Sequence, residues 1–308
     1  MVAERNMTSP LVTVLMGGPD GERPVSIESG HAVAAALVDA GWRVESLVID
    51  KPDIETIRSI PGDVFFPVLH GPWGEGGPLQ ELLSQDGRPF VGAGAQAAAI
   101  CMDKAAVKSI AESHGVSTPP WSLRTDCTPI PLDPPVVVKP NAEGSSLSLS
   151  LCNTTDEAAA AVSELIASRG SALVERMISG RELTVGMLEG TALPIIEIVP
   201  AATFYDYAAK YQRDDTRYDV DPDLPPTRSR HIQDVATALC EVLGVGQLAR
   251  VDFLLDNDDA WLLEVNTMPG FTSHSLLPMA AKAAGRSMSA LCEQLVLTAA
   301  RTAAGPAS

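Results

Sequence analysis

Paired cysteines, a surplus of basic residues and a membrane-length apolar run are all missing from this chain. Its five cysteines, Cys101, Cys127, Cys152, Cys240 and Cys292, stand far apart, with an odd count and no CxxC. That pattern argues against a disulfide framework and for free thiols, each a small core residue, in a reducing compartment. Lysine and arginine total 22 against 39 acidic residues, a formal charge of -17. A general basic surface for nucleic acid or anionic lipid is therefore excluded, and any phosphate ligand has to be held locally. No window approaches the roughly 18 apolar residues of a membrane span. The opening MVAERNMTS carries a charge pair and no apolar run, so the expectation is a cytoplasmic protein with no nucleic-acid or membrane partner. A Walker A sequence, GxxxxGK(S/T), is also absent, as are internal repeats.

What is present is a chain of 308 residues, 45% hydrophobic, long enough for two or three domains. LVTVLMGG (Leu11 to Gly18) is an apolar β-type run closed by paired glycines, and SIESGHAVAAALVDAGW (Ser26 to Trp42) follows with helical spacing. VESLVID and DVFFPVLHG supply further strands, so residues 1–93 read as a β-α-β unit with a parallel sheet. Ligands gather at the carboxyl ends of such strands, which favours the loops Gly17 to Arg23 and His70 to Gly77. Residues 94–175 read as a middle unit, with an alanine-rich helical section, the strand PPVVVKP, the loop NAEGSS, a helix and the strand ALVERMI. Residues 176–308 hold strands ELTVGML and LPIIEIVP, a helix near Asp234 to Leu243, a hairpin and two closing helices. The polar, tyrosine-rich segment 204–225 is too long for an ordinary connection and reads as a lid loop.

ARVDFLLDNDDAWLLEVN reads as that hairpin, its turn centred on Asp258. Symmetric pairing about that centre places Asp252 opposite Glu264 and Arg250 opposite Asn266. Period-two alternation then collects Val251, Phe253, Leu255, Trp261, Leu263 and Val265 on an apolar face. Two directly opposed carboxylates repel unless a cation lies between them. Oxygen-only ligands suit Mg²⁺ or Mn²⁺ arriving with nucleotide phosphates; a solvated face with Arg250 bridging both acids is the alternative. Lys104, Lys139 and the Gly-Ser loop AEGSS fit a phosphate cradle.

Taken with LMGGPDGERPVSIESG, HGPWGEGGPLQ, FVGAGAQAAAICMDK, VVVKPNAEGSSLSLS, LVERMISGRELTVGML, IEIVPAATFYDYAAKY and LLEVNTMPGFTSHSLLP, these motifs resemble the D-alanine–D-alanine ligases. The resemblance covers Leu11 to Leu297 and implies a mixed α/β (α+β) ATP-grasp fold behind an N-terminal parallel-sheet domain. It implies ATP-dependent joining of two D-alanines through an acyl phosphate, with a ligase using another acceptor (D-lactate, D-serine or a secondary-metabolite substrate) as the alternative. ATP and two Mg²⁺ or Mn²⁺ ions are the implied cofactors, and a homodimer is the implied assembly.

By the same resemblance, Asp252, Glu264 and Asn266 hold the ions, and Lys104 and Lys139 contact the α- and β-phosphates. Ser145, Ser146 and Lys210 close over the γ-phosphate. Glu175 and Ile178 line the adenine pocket, with Glu182 at the ribose. Glu22 pairs with the ammonium of the first D-alanine, near His70 and Glu75. Arg250 and the Gly270 N–H form an oxyanion hole, while Ser275 and Leu276 meet the second D-alanine. Tyr211 connects through Ser145 to Glu22 and favours an amine as nucleophile. Gly76, Pro78, Ser148, Ala208 and Phe271 depart from the family's usual residues. A nucleotide-binding protein that no longer ligates would be expected to lose some of Asp252, Glu264, Asn266, Lys104 and Lys139; all five are present.

Overall fold

The computed structural model describes residues 10–144, 148–200, 216–257 and 259–303. Three sheets organise them. Strands β1 (Leu11–Gly17), β2 (Arg43–Ile49) and β3 (Val64–Pro67) form a parallel sheet in the order β2-β1-β3. The helix Arg23–Asp39 crosses from β1 to β2, the connection that parallel strands require. Its start follows from chemistry visible in the sequence, since Pro24 sits in its first turn, where a missing N–H costs nothing. The loop expected at His70 to Gly77 contains a single helical turn, Gly71–Gly74, again with proline at its start.

Strands β4 (Trp121–Arg124), β5 (Val136–Lys139), β6 (Ser150–Cys152) and β7 (Ala172–Arg176) make an antiparallel sheet ordered β4-β7-β5-β6. The helix Thr155–Arg169 covers it, burying Ala158, Val162 and Leu165 against Val136, Val138 and Val174. Strands β8 (Arg181–Leu188), β9 (Thr191–Val199), β10 (Arg217–Val220), β11 (Leu248–Asp256) and β12 (Asp259–Asn266) form the third sheet, antiparallel and ordered β10-β9-β8-β11-β12. Part of the segment read as a lid loop is thus strand: Arg217–Val220 pairs with Ile196 to Val199 at the sheet edge. RYDV has no apolar alternation to announce it, because an edge strand needs few buried side chains.

The cores cut across the order of the chain. Helices Ala95–Met102 and Lys104–Ser113 bury Ala98, Cys101, Val107 and Ala111 in one cluster with Leu183, Val251 and Phe253 of the third sheet. The last two helices, Leu276–Ala283 and Met288–Ala303, join a cluster with Val12, Val33, Leu37 and Phe66 of the first unit. Phe271 completes it, packing edge-on to Phe66 at 5.6 Å between ring centroids and 86° between planes; the phenylalanine is there to fill this core. No helix among the described residues is long and apolar enough to cross a membrane.

Candidate active site

The hairpin β11-β12 places Asp252 opposite Glu264 and Arg250 opposite Asn266, the register that the sequence predicts. One correction follows at its tip. The register shifts between Asp252 and Phe253, so Phe253 pairs with Leu262 and Asp256 with Asp259. A bulge of this kind sets two residues of one strand against one of the other, and it turns Leu263 out of the core. Leu262 takes the interior place, fully buried, whereas Leu263 and Trp261 stay half-buried. Leu263 instead faces a cavity with Leu254 and Glu264.

Two cavities meet at this hairpin. The first is lined by Glu22, His70, Glu75, Arg250, Asn266, Gly270, Ser275 and Leu276. The second, of about 490 Å³, runs between the second and third sheets past Lys139, Glu175 and Ile178. Lys104, Gly144, Glu182, Asp252 and Glu264 line both, and so form the passage between them. Of the predicted site residues, Ser145, Ser146, Lys210 and Tyr211 lie outside the described residues; all the others stand in one or both cavities.

The opposed acids each have a cation. Arg250 donates from Nε to Asp252 Oδ1 at 2.9 Å and from a terminal nitrogen to Oδ2 at 2.9 Å. Lys104 Nζ lies 3.2 Å from Glu264 Oε2. Arg250 alone therefore does not bridge the pair. Thr184, which carries no signal in the sequence, donates to Asp252 Oδ1 at 2.6 Å and fixes the carboxylate's plane. Asn266 Oδ1 accepts the N–H of Met268 at 2.9 Å, which aims the amide. Two carboxylates and a carboxamide, all hard oxygen donors on one wall, fit Mg²⁺ or Mn²⁺. A grouping of three or more His, Cys, Asp or Glu that could hold a metal does not occur among the described residues; the third oxygen on this wall is the Asn266 carboxamide.

Lys104 opens its helix, and its placement has a local cause. Asp103 caps that helix by accepting from Ala106 N at 3.0 Å. Asn141, in the loop after β5, donates to Asp103 Oδ1 at 2.9 Å and accepts from Ala105 N at 2.9 Å. The Gly-Ser loop is thereby tied at its root to the lysine. Lys104 Nζ donates back to the Glu143 carbonyl at 2.6 Å. At Gly144 the loop passes the first cavity so closely that a Cβ would stand 3.2 Å from Glu22 Oε2.

Glu22 and His70 follow β1 and β3, at the carboxyl ends of the parallel strands, and Glu75 ends the turn that begins at Gly71. Glu75 accepts from Gly71 N at 3.1 Å through one oxygen, while its other oxygen and His70 Nε2 are buried with no hydrogen-bond partner among the described residues. Burial, reinforced by the charge of Glu22, raises the Glu75 carboxyl well above its ordinary range. Burial lowers the basicity of His70, against the pull of Glu22. A neutral imidazole and a protonated carboxyl are the forms this pocket favours. The next residue, Gly76, has no room for the family's usual side chain, because a Cβ would overlap the carbonyl oxygen of Pro72.

On the opposite wall, Ser275 Oγ accepts from Thr272 N at 2.9 Å and meets Thr272 Oγ1 at 3.0 Å. Ser29, from the first helix, accepts Phe271 N at 3.1 Å, so the turn carrying Gly270 is held by the N-terminal unit. Deeper in the second cavity, Lys139 Nζ lies 2.7 Å from Glu175 Oε2. Lys108 reaches the other oxygen of Glu175 at 2.5 Å from a fully buried position. Sequence reading missed Lys108; its spacing of four from Lys104, which puts both on one helix face, was the available signal.

The chain has relatives among known ligases. Residues 128–297 match the family described as D-ala D-ala ligase C-terminus. The chain is 39% identical over 289 residues to a D-alanine–D-alanine ligase of Syntrophotalea carbinolica, covering 92% of this chain and 94% of the relative. It is 38% identical over 286 residues to one from Methylacidiphilum infernorum, with 92% and 94% covered. Among solved structures it superposes on the ligase from Bacillus anthracis with a TM-score of 0.85 at 32% identity, over 96% of this chain and 98% of that one. The same enzyme complexed with ATP gives a TM-score of 0.84 at 30% identity, with the same coverage. Identity at this level across nearly the whole length, with a TM-score of 0.85 to a solved ligase, makes the chain a member of the D-alanine–D-alanine ligase family with the ATP-grasp fold.

Proposed function

We propose that this protein joins two D-alanines into D-alanyl-D-alanine at the expense of ATP, releasing ADP and phosphate, for peptidoglycan precursor synthesis. The observation that carries the reading is the shared wall of the two cavities, where Lys104, Asp252 and Glu264 face an amino-acid-sized chamber on one side and a nucleotide-sized one on the other. A phosphoryl group transferred from nucleotide to carboxylate has to cross at that wall.

Asp252, Glu264 and Asn266 hold two Mg²⁺ or Mn²⁺ ions, which neutralise phosphate charge while bound. Lys104 and Lys139 bind the phosphate chain; Glu175, Ile178 and Glu182 receive adenine and ribose. Glu22 takes the ammonium group of the first D-alanine by a charge-assisted contact, supported by His70 and Glu75. Once the first D-alanine's carboxylate has taken the γ-phosphoryl group, with ADP as the leaving group, the amine of the second D-alanine attacks the acyl carbon; the tetrahedral intermediate expels phosphate and the nitrogen gives up a proton. Arg250 and the Gly270 N–H then stabilise the oxyanion, with Ser275 and Leu276 positioning the nucleophile's carboxylate and methyl group. Ser145, Ser146, Lys210 and Tyr211 complete closure over the γ-phosphate. In the division into units 1–93, 94–175 and 176–308, the first and third enclose the amino-acid chamber, the second carries the phosphate loop and the third the metal wall, in a cytoplasmic homodimer.

The test is ADP and phosphate release with ATP and Mg²⁺, supplying D-alanine alone or with D-lactate or D-serine, and identifying products by mass. D-alanine-dependent release with the dipeptide as product is expected. Turnover only with another acceptor would overturn the substrate and keep the machinery, and no turnover with any of them would overturn the activity.

A further inference from the structure

Lys108 lines neither cavity, yet it is the most completely buried charge in this region. Its side chain has no exposure, and its Nζ donates to Thr118 Oγ1 at 2.5 Å and to the Leu262 carbonyl at 3.4 Å. Glu175, 3% exposed, is shared by two ammonium groups, one on each oxygen: Lys108 at 2.5 Å and Lys139 at 2.7 Å. Of the three, Lys139 is the most open, at 11%, and it faces the second cavity.

Charge counting gives this cluster its meaning. Two lysines and one glutamate leave a net positive charge, and the accessible end of that charge is Lys139. Without Lys108, Glu175 and Lys139 would cancel, and the cavity would lose its attraction for an anion at this point. We propose that Lys108 is a positioning residue for nucleotide binding: by neutralising Glu175 from behind, it leaves the charge of Lys139 available to the phosphate chain.

The inference rests on the nucleotide reading of the second cavity. Burial pushes the Lys108 ammonium down to about 8, against the attraction of Glu175. A hydrophobic residue of similar length would avoid that desolvation. Thr118 and Leu262 explain how the lysine is held, and the anion explains what its charge does.

Calorimetric titration with Mg²⁺-ATP and, separately, with adenosine tests this in the absence of D-alanine. Lys108→Met is expected to weaken ATP binding about tenfold, the scale of one charge-assisted contact, and to leave adenosine within about twofold. The double variant Lys108→Met with Glu175→Gln is expected to restore the ATP-to-adenosine ratio. Glu175→Gln alone gives a second reading should Lys108→Met not fold, because it leaves both lysines uncancelled and should raise the ratio. Equal weakening of ATP and adenosine in Lys108→Met, or a ratio unmoved in every variant, would overturn the role of Lys108. Failure of the unaltered protein to bind ATP would instead overturn the nucleotide reading itself.

Discussion

A methyl group added at Gly270 tests the wall of the amino-acid chamber. The Cβ of alanine there would stand 2.7 Å from Ser275 Oγ and 3.7 Å from Ser275 Cβ. The first separation is a clash and the second an ordinary contact, so the hydroxyl alone is in the way. That hydroxyl is held by Thr272 N and Thr272 Oγ1 at 2.9 and 3.0 Å, and moving it strands a part-buried N–H. Gly270→Ala should therefore cost about 1–3 kcal/mol, lowering the melting temperature by roughly 2–6 °C in a chain of this size. Ser275→Ala alone should cost about 1 kcal/mol for the lost hydrogen bond. In the double variant the obstacle is gone, and its cost should fall back to that of Ser275→Ala, a coupling as large as the Gly270→Ala cost itself, about 1–3 kcal/mol. Thermal unfolding of the four proteins measures the coupling, and initial rates at varied D-alanine should show a raised KM with the KM for ATP unchanged. Additive melting shifts in the double variant would refute the claim that the Oγ contact is what excludes a side chain at Gly270.

On the proposed reading, Glu264→Gln should reduce turnover more than about 100-fold, read as ADP release at saturating ATP, because an amide would not supply the negative charge that a bound divalent cation calls for. Phe253→Ala, deep in the third sheet's core, should lose about 3–5 kcal/mol in a melting experiment. Stability should also respond to pH through Lys108. Its folded-state pKa of about 8 lies below the ordinary 10.5, so between those values the unfolded chain binds the extra proton and stability rises with pH. Measured against Lys108→Met, the unaltered protein should gain about 2 kcal/mol between about pH 7 and pH 9.5, and a flat difference would refute the buried-ammonium assignment.

The parts of the site that were legible in the sequence were those set by short-range periodicity. Arg250, Asp252, Glu264 and Asn266 share a face because a hairpin's pairing near its base follows from alternation alone. One residue of slippage near the tip escaped notice, since DNDDA offers no preference between a turn centred on Asp258 and the tighter one that pairs Asp256 with Asp259. Lys108 was hidden for a different reason. A lysine on an amphipathic helix reads as solvated until tertiary packing shows Glu175 and Thr118 closing over it. Thr184 and Ser29 likewise become site residues only when β8 lies beside β11 and the first helix meets the turn after Asn266.

The bulge at Leu263 has a bearing on how this ribbon can change over time. A strand with strict alternation serves a single chamber, since every second side chain is committed to the interior. With one unpaired residue, β12 presents Leu263 to the second cavity and Glu264 to both in immediate succession, so one short segment furnishes adjoining rooms. An inserted or deleted residue between Leu262 and Glu264 would carry either Glu264 or Leu263 away from the cavity it lines.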